Sequence, residues 1–317
     1  MSGDPRGAAL LGLGAHRPAR RVGNADIAAR IDSTDAWIRE RSGIATRGVA
    51  ADGEGVVEMA ISAGGKALAA AGADPADVSL LMVATCTLIQ PVPGAAARVA
   101  SALDLTNAGA LDLGAACAGF TYGLSFAADA VRCGSADLVL VVGSERFSDI
   151  VDPTDRSTAF LFGDGAGAAV IGPSAIDGLS APVWSSDGRQ AQVLRTVGSP
   201  PVLVMEGQAV YRWATATLPA LARAACARAG IDPADLAAVV PHQANLRITE
   251  ALVRALRLPA SVVVARDIVD SGNTSAASIP LALHRLLETG QVSTGDRVLL
   301  LGFGAGLTAA ALVVRCP

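Results

Sequence analysis

The chain is poor in several residue types, and each shortage argues against a class of protein. Lys66 is the only lysine among 317 residues, aromatic residues make up 3% of the chain, and the formal net charge at pH 7 is −4. A negative net charge argues against a nucleic-acid partner. No apolar run free of breakers approaches the roughly 20 residues that span a bilayer, and residues 1–6 do not resemble a signal peptide. We therefore expect a cytoplasmic protein with no membrane or nucleic-acid partner.

Cysteine is also scarce, and its distribution argues against structural cross-links. The cysteines are odd in number and include no C-x-x-C pair. Disulfide frameworks and zinc sites use even numbers of cysteines or closely spaced pairs. We expect reduced thiols and no metal site, with the cysteines at Cys86, Cys117, Cys133, Cys226 and Cys316.

The hydrophobic content of 51% is enough for a large buried core. Helical and strand patterns alternate along the chain. Helices are predicted over 24–31 and 55–72, an apolar strand over 79–85, and a Gly-rich strand over 162–172. Alternation of this kind is typical of an α/β fold with a largely parallel sheet.

The second half of the chain repeats the first. Residues 71–78 recur as residues 229–236, 158 positions later, and the motif at 162–169 recurs at 303–310, 141 positions later. Two repeats in the same order indicate an internal duplication. We predict two α/β halves, residues 1–172 and 173–317, whose sheets pack against shared helices.

Residues 111–120 predict a short strand, a turn that contains Cys117, and the start of a helix. The N–H groups and the dipole at a helix N-terminus favour a thiolate, which is the nucleophilic form of cysteine. Cys117 is therefore either a nucleophile or a buried cysteine at a strand-to-helix turn. The choice depends on whether partner groups exist elsewhere in the chain.

Three histidines are present. His16 is predicted to lie in a surface loop and His284 on a polar helix face, whereas His242 ends an apolar strand and opens a polar run. His242 lies 158 residues after Ala84, which ends the corresponding strand of the first half. The duplication therefore places His242 where the second half faces the first.

Asn273 lies about 156 residues after Cys117, in a polar turn that opens a helix. An asparagine there is either a helix N-cap or a donor to a developing oxyanion. Together with His242 it could hydrogen-bond a single carbonyl oxygen. The Gly-rich segment 302–306 would allow a main-chain N–H to approach the same centre.

These segments resemble the β-ketoacyl-acyl-carrier-protein synthase III family, which has the thiolase-like fold. The motifs that carry the resemblance follow the family order, at 37–44, 115–120, 152–156, 162–170, 241–247, 272–278 and 302–306. The resemblance implies two duplicated α/β halves in a layered α-β-α-β-α arrangement. It also implies a homodimer.

The resemblance implies a decarboxylative Claisen condensation that starts fatty-acid or polyketide chains. Cys117 would take the acyl group from acyl-CoA, with the backbone N–H groups of Cys117 and Ala305 as the oxyanion hole. His242 and Asn273 would stabilise the enolate that malonyl-acyl carrier protein forms on losing CO2. Acyl-CoA and malonyl-acyl carrier protein are then substrates, and no bound cofactor is expected.

The resemblance also assigns residues that hold the substrates. Trp37 would stack on the adenine of CoA, Arg41 and Arg156 would hold its ribose-phosphate end, and Gln208 and Asn245 would lie near its pantetheine arm. Phe303 and Val92 would line the acyl pocket, with Val92 reaching into that of the partner subunit. A patch that docks acyl carrier protein, or alternatively a solvated helix face, comprises Arg212, Arg247 and Arg254.

Two departures from the family pattern concern the acyl group. Val92 stands where relatives have phenylalanine, and residues 187–204 form a shorter segment than in many relatives. The smaller side chain could admit a longer or branched acyl group. The alternative activity is acyl transfer to a hydroxyl, an amine or a carrier protein without decarboxylation, against which the presence of Asn273 argues.

Overall fold

The computed structural model describes residues 7–317. Its α-helices in that range are α1 Asn24–Ala28, α2 Asp35–Ser42, α3 Val56–Ala71, α4 Ala95–Ala102, α5 Gly119–Arg132, α6 Gly207–Arg228, α7 Leu246–Leu256, α8 Ile268–Ser271 and α9 Ser278–Glu288. No helix within 7–317 is long and apolar enough to cross a membrane.

Most of the strands build two five-stranded sheets. The strands of the first half are β1 Gly7–His16, β2 Arg21–Gly23, β3 Thr46–Gly48, β4 Val78–Ala84, β5 Gly109–Leu113, β6 Leu138–Glu145 and β7 Gly165–Ser174. Those of the second half are β8 Val183–Ser186, β9 Leu194–Val197, β10 Val202–Met205, β11 Ala238–Pro241, β12 Val263–Val264, β13 Arg297–Gly304 and β14 Thr308–Arg315.

The two large sheets have the same topology. The first has the order β1-β7-β6-β4-β5, and the second, read from the opposite edge, has β8-β14-β13-β11-β12. In each order the first two pairings are antiparallel and the last two are parallel, so β4 and β11 are the strands that pair in parallel with both neighbours. The predicted duplicated α/β fold is confirmed.

The hydrophobic core divides into layers. Phe120 and Leu124 of α5 and Ile279 and Leu283 of α9 pack between the inner faces of the two sheets. Helices α3 and α4 cover the outer face of the first sheet, and α6 and α7 cover the outer face of the second. The result is the predicted α-β-α-β-α layering, with α5 and α9 as the shared helices.

Equivalent turns confirm the duplication and correct one offset. Short 3-10 turns at 116–118 and 275–277 lead directly into α5 and α9, and each begins at a residue with positive φ, Ala116 at 45° and Ser275 at 47°. The structural offset is therefore 159, so Cys117 corresponds to Ala276, and the predicted pairing of Cys117 with Asn273 is three residues out of register.

Two predicted element boundaries are also wrong. The helix predicted over 24–31 ends at Ala28, because the chain turns through Asp32, whose φ is 48°. The Gly-rich strand begins at Gly165 because Phe162 instead forms an isolated bridge to Asn273. Gly163 N–H donates to the carbonyl of Asn273, and Asn273 N–H donates to the carbonyl of Leu161. This bridge fixes the backbone of Asn273 against the first half.

Candidate active site

A cavity of about 740 Å³ draws its walls from both halves of the chain. Cys117, His242 and Asn273, the three side chains predicted to carry the chemistry, all line it. Each reaches the cavity from the end of a strand or from the turn before a central helix. The sequence positions of these residues span about half of the chain, so the duplicated fold is what assembles them.

Cys117 lies in the 3-10 turn that precedes α5, and 7% of its surface is exposed. Burial raises the pKa of its thiol to about 12, although a hydrogen bond from Ser275 and the backbone N–H groups of Cys117 and Ala305 act in the opposite direction. The expectation that the helix N-terminus would favour the thiolate is therefore wrong for the resting protein. Loss of hydration outweighs the local dipoles, and the nucleophile rests as a thiol.

The backbone at Gly304 passes directly against the nucleophile. A Cβ at this position would lie 2.8 Å from Cys117 Cβ and 3.0 Å from its sulfur, so only glycine fits. The close approach brings the N–H of Ala305 near the sulfur. Two main-chain donors, from Cys117 and Ala305, thus converge where a thioester oxygen would become negative.

His242 follows β11 and is 2% exposed. Burial lowers its pKa to about 3, so the ring is neutral at pH 7. Ser278 Oγ lies 2.7 Å from Nδ1 and accepts the N–H of Gln243 at 3.2 Å. The Ser278 oxygen already accepts from Gln243, so its hydroxyl hydrogen is available to Nδ1, and in that tautomer the ring hydrogen is on Nε2. His242 then presents an N–H donor to the cavity.

Asn273 is held by its own side chain as well as by its backbone. Its Oδ1 accepts the N–H of Ser275 at 2.8 Å, an Asx turn that leads into the 3-10 turn before α9. The N-cap interpretation is wrong, because Thr274 is the N-cap of the 3-10 turn and Ala277 that of α9. With the oxygen engaged by the turn, the amide NH2 remains as a donor for the cavity that Asn273 lines.

Sequence reasoning missed two residues beside the nucleophile. Ser275 Oγ lies 3.1 Å from Cys117 Sγ and 2.9 Å from Oε1 of Glu145, which is fully buried. Ser275 belongs to the same polar turn as Asn273, so its position could have been inferred. Glu145 ends β6 in an otherwise apolar segment, and only the fold brings it to this site.

The outer part of the cavity carries an aromatic ring between positive charges. Trp37 packs edge-on against Phe160, with ring centroids 5.1 Å apart. The guanidinium carbons of Arg41 and Arg156 lie 5.5 and 5.0 Å from the centroid of the indole ring. All four side chains line the cavity. An aromatic face flanked by arginines can stack a flat base and bind its phosphates.

Comparison with known proteins identifies the family to which this chain belongs. Residues 111–188 match the family described as 3-oxoacyl-[acyl-carrier-protein (ACP)] synthase III, and residues 226–316 match its C-terminal domain. The beta-ketoacyl-[acyl-carrier-protein] synthase III 4 of Streptomyces coelicolor is 52% identical, over 98% of this chain and 99% of the relative. The chain belongs to the synthase III family.

Solved structures of synthase III proteins agree in detail with the fold. The priming β-ketosynthase of the R1128 polyketide biosynthetic pathway is 44% identical, with a TM-score of 0.97 over 100% of this chain and 98% of that structure. The 3-oxoacyl-(acyl carrier protein) synthase III of Pseudomonas aeruginosa is 41% identical, with a TM-score of 0.93 over 98% and 99%. The thiolase-like fold and the acyltransferase class of the enzyme follow from these relatives.

Two further residues predicted for the CoA arm of the synthase also line the cavity, Gln208 and Asn245. Asn245 has structural partners, since its Oδ1 accepts the N–H of Arg247 at the start of α7 and its Nδ2 donates to the carbonyl of Arg41. These contacts join α7 to the end of α2. The side chain of Gln208 is exposed at the first turn of α6.

The predicted docking arginines of the synthase lie on two adjacent helices. Arg212 of α6 and Arg247 of α7 are exposed and line the cavity, and the guanidinium of Arg247 lies 5.5 Å from the ring centroid of Tyr211. Arg254 does not line the cavity and is exposed on α7, seven residues after Arg247 and so on the same face of that helix. Arg212 and Arg247 therefore lie at the entrance, and Arg254 lies about two turns away along α7.

The apolar wall of the cavity includes Phe303, as predicted, together with Leu161, Phe162, Leu194 and Met205. The last two lie on the β9–β10 hairpin, which occupies much of the short segment 187–204. Val92 lies outside this cavity and is 83% exposed. Its predicted place in an acyl pocket therefore requires a partner subunit.

The remaining two histidines lie away from the cavity. His16 is the last residue of β1 and is hydrogen-bonded to Ser62 and Glu54, so the prediction of a surface loop is wrong. His284 is half-buried on α9. Within residues 7–317 no cluster of histidine, cysteine or acidic side chains has the arrangement of a metal site.

Proposed function

We propose that this synthase III condenses an acyl-CoA starter with malonyl-acyl carrier protein through an acyl-Cys117 intermediate. One observation carries the proposal. A buried thiol lies in the same cavity as two donors, His242 Nε2–H and the Asn273 amide, whose other polar atoms are engaged by protein groups. A nucleophile beside two preorganised donors is what acyl transfer followed by enolate formation requires.

In the first step, Cys117 attacks the thioester carbonyl of acyl-CoA. The oxygen becomes negative in the tetrahedral intermediate and accepts hydrogen bonds from the N–H groups of Cys117 and Ala305. The intermediate collapses with loss of the CoA thiolate. The apolar wall that includes Phe303 and Leu194 would hold the acyl chain.

In the second step, malonyl-acyl carrier protein loses CO2 and its thioester becomes an enolate. A neutral imidazole suits this step because it donates a hydrogen bond without carrying a charge that the buried site would penalise. His242 and Asn273 together place two donors on the enolate oxygen. The enolate carbon then attacks the acyl-cysteine, releasing the β-ketoacyl product and the Cys117 thiolate.

The entrance supports binding of both carriers. The face of Trp37 would stack on adenine, and Arg41 and Arg156 would hold the phosphates of CoA. Arg156 now lies over the indole ring, so the adenine would displace it. The exposed arginines 212, 247 and 254 offer positive charge to an acidic carrier protein.

The proposed reaction needs no resident cofactor or metal, because both substrates arrive as thioesters. All five cysteines are free. Free thiols are typical of a reducing compartment, which supports a cytoplasmic location.

A homodimer is the assembly we propose. Strand β5 is an edge strand of the first sheet with Leu111 exposed, and unpaired edge strands readily pair with a second chain. Val92, Phe126 and Trp184 are also exposed. Light scattering after size exclusion is expected to give twice the mass of the chain, and a Leu111→Asp variant a larger monomer fraction. A monomeric native protein would contradict this assembly.

The condensation can be tested with purified protein, an acyl-CoA and malonyl-acyl carrier protein. We expect CO2 release and a β-ketoacyl-acyl carrier protein of the starter length plus two carbons. The same assay covers fatty-acid and polyketide starters, since the chemistry is identical. Transfer of the acyl group to the carrier protein without CO2 release would refute the proposal and favour the non-decarboxylative alternative.

A further inference from the structure

The buried carboxyl of Glu145 is surrounded by hydrogen-bond donors. Its Oε2 accepts the N–H of Cys86 at 3.0 Å and the hydroxyl groups of Thr87 at 2.8 Å and Thr85 at 3.2 Å. Its Oε1 lies 2.9 Å from Ser275 Oγ and 3.3 Å from the thiol of Cys86. Within residues 7–317 no cation pairs with it. Donors on both oxygens stabilise the ionised carboxylate, which can only accept hydrogen bonds, whereas burial raises its pKa.

The hydroxyl of Ser275 connects this carboxylate to the nucleophile. Its oxygen is within hydrogen-bond distance of both Glu145 Oε1 and Cys117 Sγ, at 2.9 and 3.1 Å. A hydroxyl has one hydrogen, and the carboxylate is the stronger acceptor. The Ser275 hydroxyl has the geometry of a donor toward either group. With its one hydrogen on Glu145, the lone pairs of Ser275 are left for the thiol hydrogen of Cys117, and the three groups then form a chain from sulfur to carboxylate.

We propose that Ser275 and Glu145 relay the proton of the Cys117 thiol away from the sulfur during acylation. Ser275 contacts the reacting sulfur and is a catalytic residue in this proposal, whereas Glu145 acts through Ser275 and is a positioning residue that also holds the proton. The inference rests on the proposed role of Cys117 as the nucleophile.

His242 is poorly suited to this task. Its Nδ1 is engaged by the hydroxyl of Ser278, and in the tautomer that donates to the enolate its Nε2 carries the ring hydrogen, so no lone pair is left for the thiol proton. Burial lowers the pKa of His242 to about 3 and raises that of Glu145 above its ordinary value. The carboxylate is thus the stronger base of the two. The relay also leaves His242 as a donor throughout the cycle.

The proton transfers and the bonds made and broken balance over the two steps, acylation and condensation. In acylation, the thiol hydrogen passes to Ser275 Oγ as the Ser275 hydrogen passes to Glu145 Oε1, the sulfur bonds to the acyl carbon, and the C–S bond to CoA breaks. The CoA thiolate takes a proton from solvent. In condensation, the bond between the acyl carbon and Cys117 breaks, and Glu145 returns its proton through Ser275 to the thiolate.

The test compares Glu145→Gln and Ser275→Ala with the wild type and with Thr85→Ser as the matched control. Gln cannot take up the proton, alanine removes the connecting hydroxyl, and Thr85→Ser keeps a hydroxyl donor on Oε2, the oxygen of Glu145 that does not face Ser275. Alanine suits position 275, because Ala116 adopts nearly the same φ at the equivalent turn of the first half. Alkylation by iodoacetamide at pH 6–10, quantified on the peptide that contains Cys117 because Cys86 and Cys133 are exposed free thiols, measures deprotonation of Cys117 without any acyl-CoA.

We expect both relay variants to be alkylated and acylated about 10²-fold more slowly than the wild type at pH 7, the scale of general base catalysis. Their alkylation profiles should move to higher pH, and malonyl decarboxylation should change less than threefold. Thr85→Ser should match the wild type. Unchanged alkylation in both relay variants, or a slow rate in His242→Asn alone, would overturn the relay. A wild type that is alkylated but accepts no acyl-CoA would instead refute the proposed function.

Discussion

The contact between Gly304 and Cys117 allows the effect of a Gly304→Ala substitution on acylation to be predicted quantitatively. A Cβ at position 304 lies 2.8 Å from Cys117 Cβ, about 0.6 Å closer than the 3.4 Å at which ordinary contact begins, and 2.9 Å from Cys117 N. Gly304→Ala must therefore push the turn that carries the thiol away from β13 by several tenths of an ångström. Backbone lines one side of the contact, so no flexible side chain can yield.

We expect Gly304→Ala to slow mainly the acylation step. A displacement of 1 Å at a reacting centre can cost about 10²-fold in rate, so we expect Gly304→Ala to acylate roughly 10- to 100-fold more slowly than the wild type. Overpacking of this kind also destabilises a fold by about 1–3 kcal/mol. The melting temperature should consequently fall by a few degrees while the protein remains folded.

The assay is a single turnover with acyl-CoA in which the acylated fraction is followed by intact mass. Gly188→Ala is the control, because a Cβ there meets nothing within 4 Å, and it should acylate at the wild-type rate. Acylation of Gly304→Ala at the wild-type rate would refute the argument that close backbone approach positions the sulfur. An equal loss in Gly188→Ala would refute it as well.

Further predictions concern the donors and the CoA site. Asn273→Ala should leave acylation within threefold and slow malonyl decarboxylation about 10²-fold, as loss of one oxyanion donor does; equal loss of both steps would contradict the division of roles. The unfolded chain protonates His242 near pH 6.5 and the folded chain only near 3. Stability therefore falls with pH below 6.5, and urea titrations should show about 2 kcal/mol more loss between pH 7 and 5 than in His242→Asn. Trp37→Ala should raise the KM for acyl-CoA about tenfold without a matching loss of kcat, and an unchanged KM would count against stacking.

The layered fold and the convergence of the three central residues could be predicted because both depend on repeats. The aspartate-proline turns at Asp74 and Asp232 form the same capped 3-10 turn before β4 and β11. Strand ends in duplicated halves occupy equivalent places, so Cys117 and His242 could be brought together from spacing and motif alone. The offset of 156 is in error because Asn273 lies before the 3-10 turn that is equivalent to the turn of Cys117, and those turns are 159 residues apart.

The protonation of the site could not be predicted in the same way. A helix start at Cys117 is visible as a pattern, but the burial that raises its pKa depends on Gly304 and α9, which are distant in sequence. The contact between Glu145 and Ser275 likewise joins β6 to the turn before α9. The sequence around Glu145 gives no local signal of this contact, because a single acid at a strand end is common. Contacts between segments so distant in sequence could not be predicted without the structure.

The most direct test of the account is intact-mass spectrometry of the wild type and Cys117→Ala after exposure to a panel of acyl-CoAs, with peptide mapping of any adduct. The account predicts one acyl group per wild-type chain on the peptide that contains Cys117, and none on the variant. An adduct on Cys117→Ala, or a wild-type adduct mapped to Cys86, would contradict the assignment of the nucleophile.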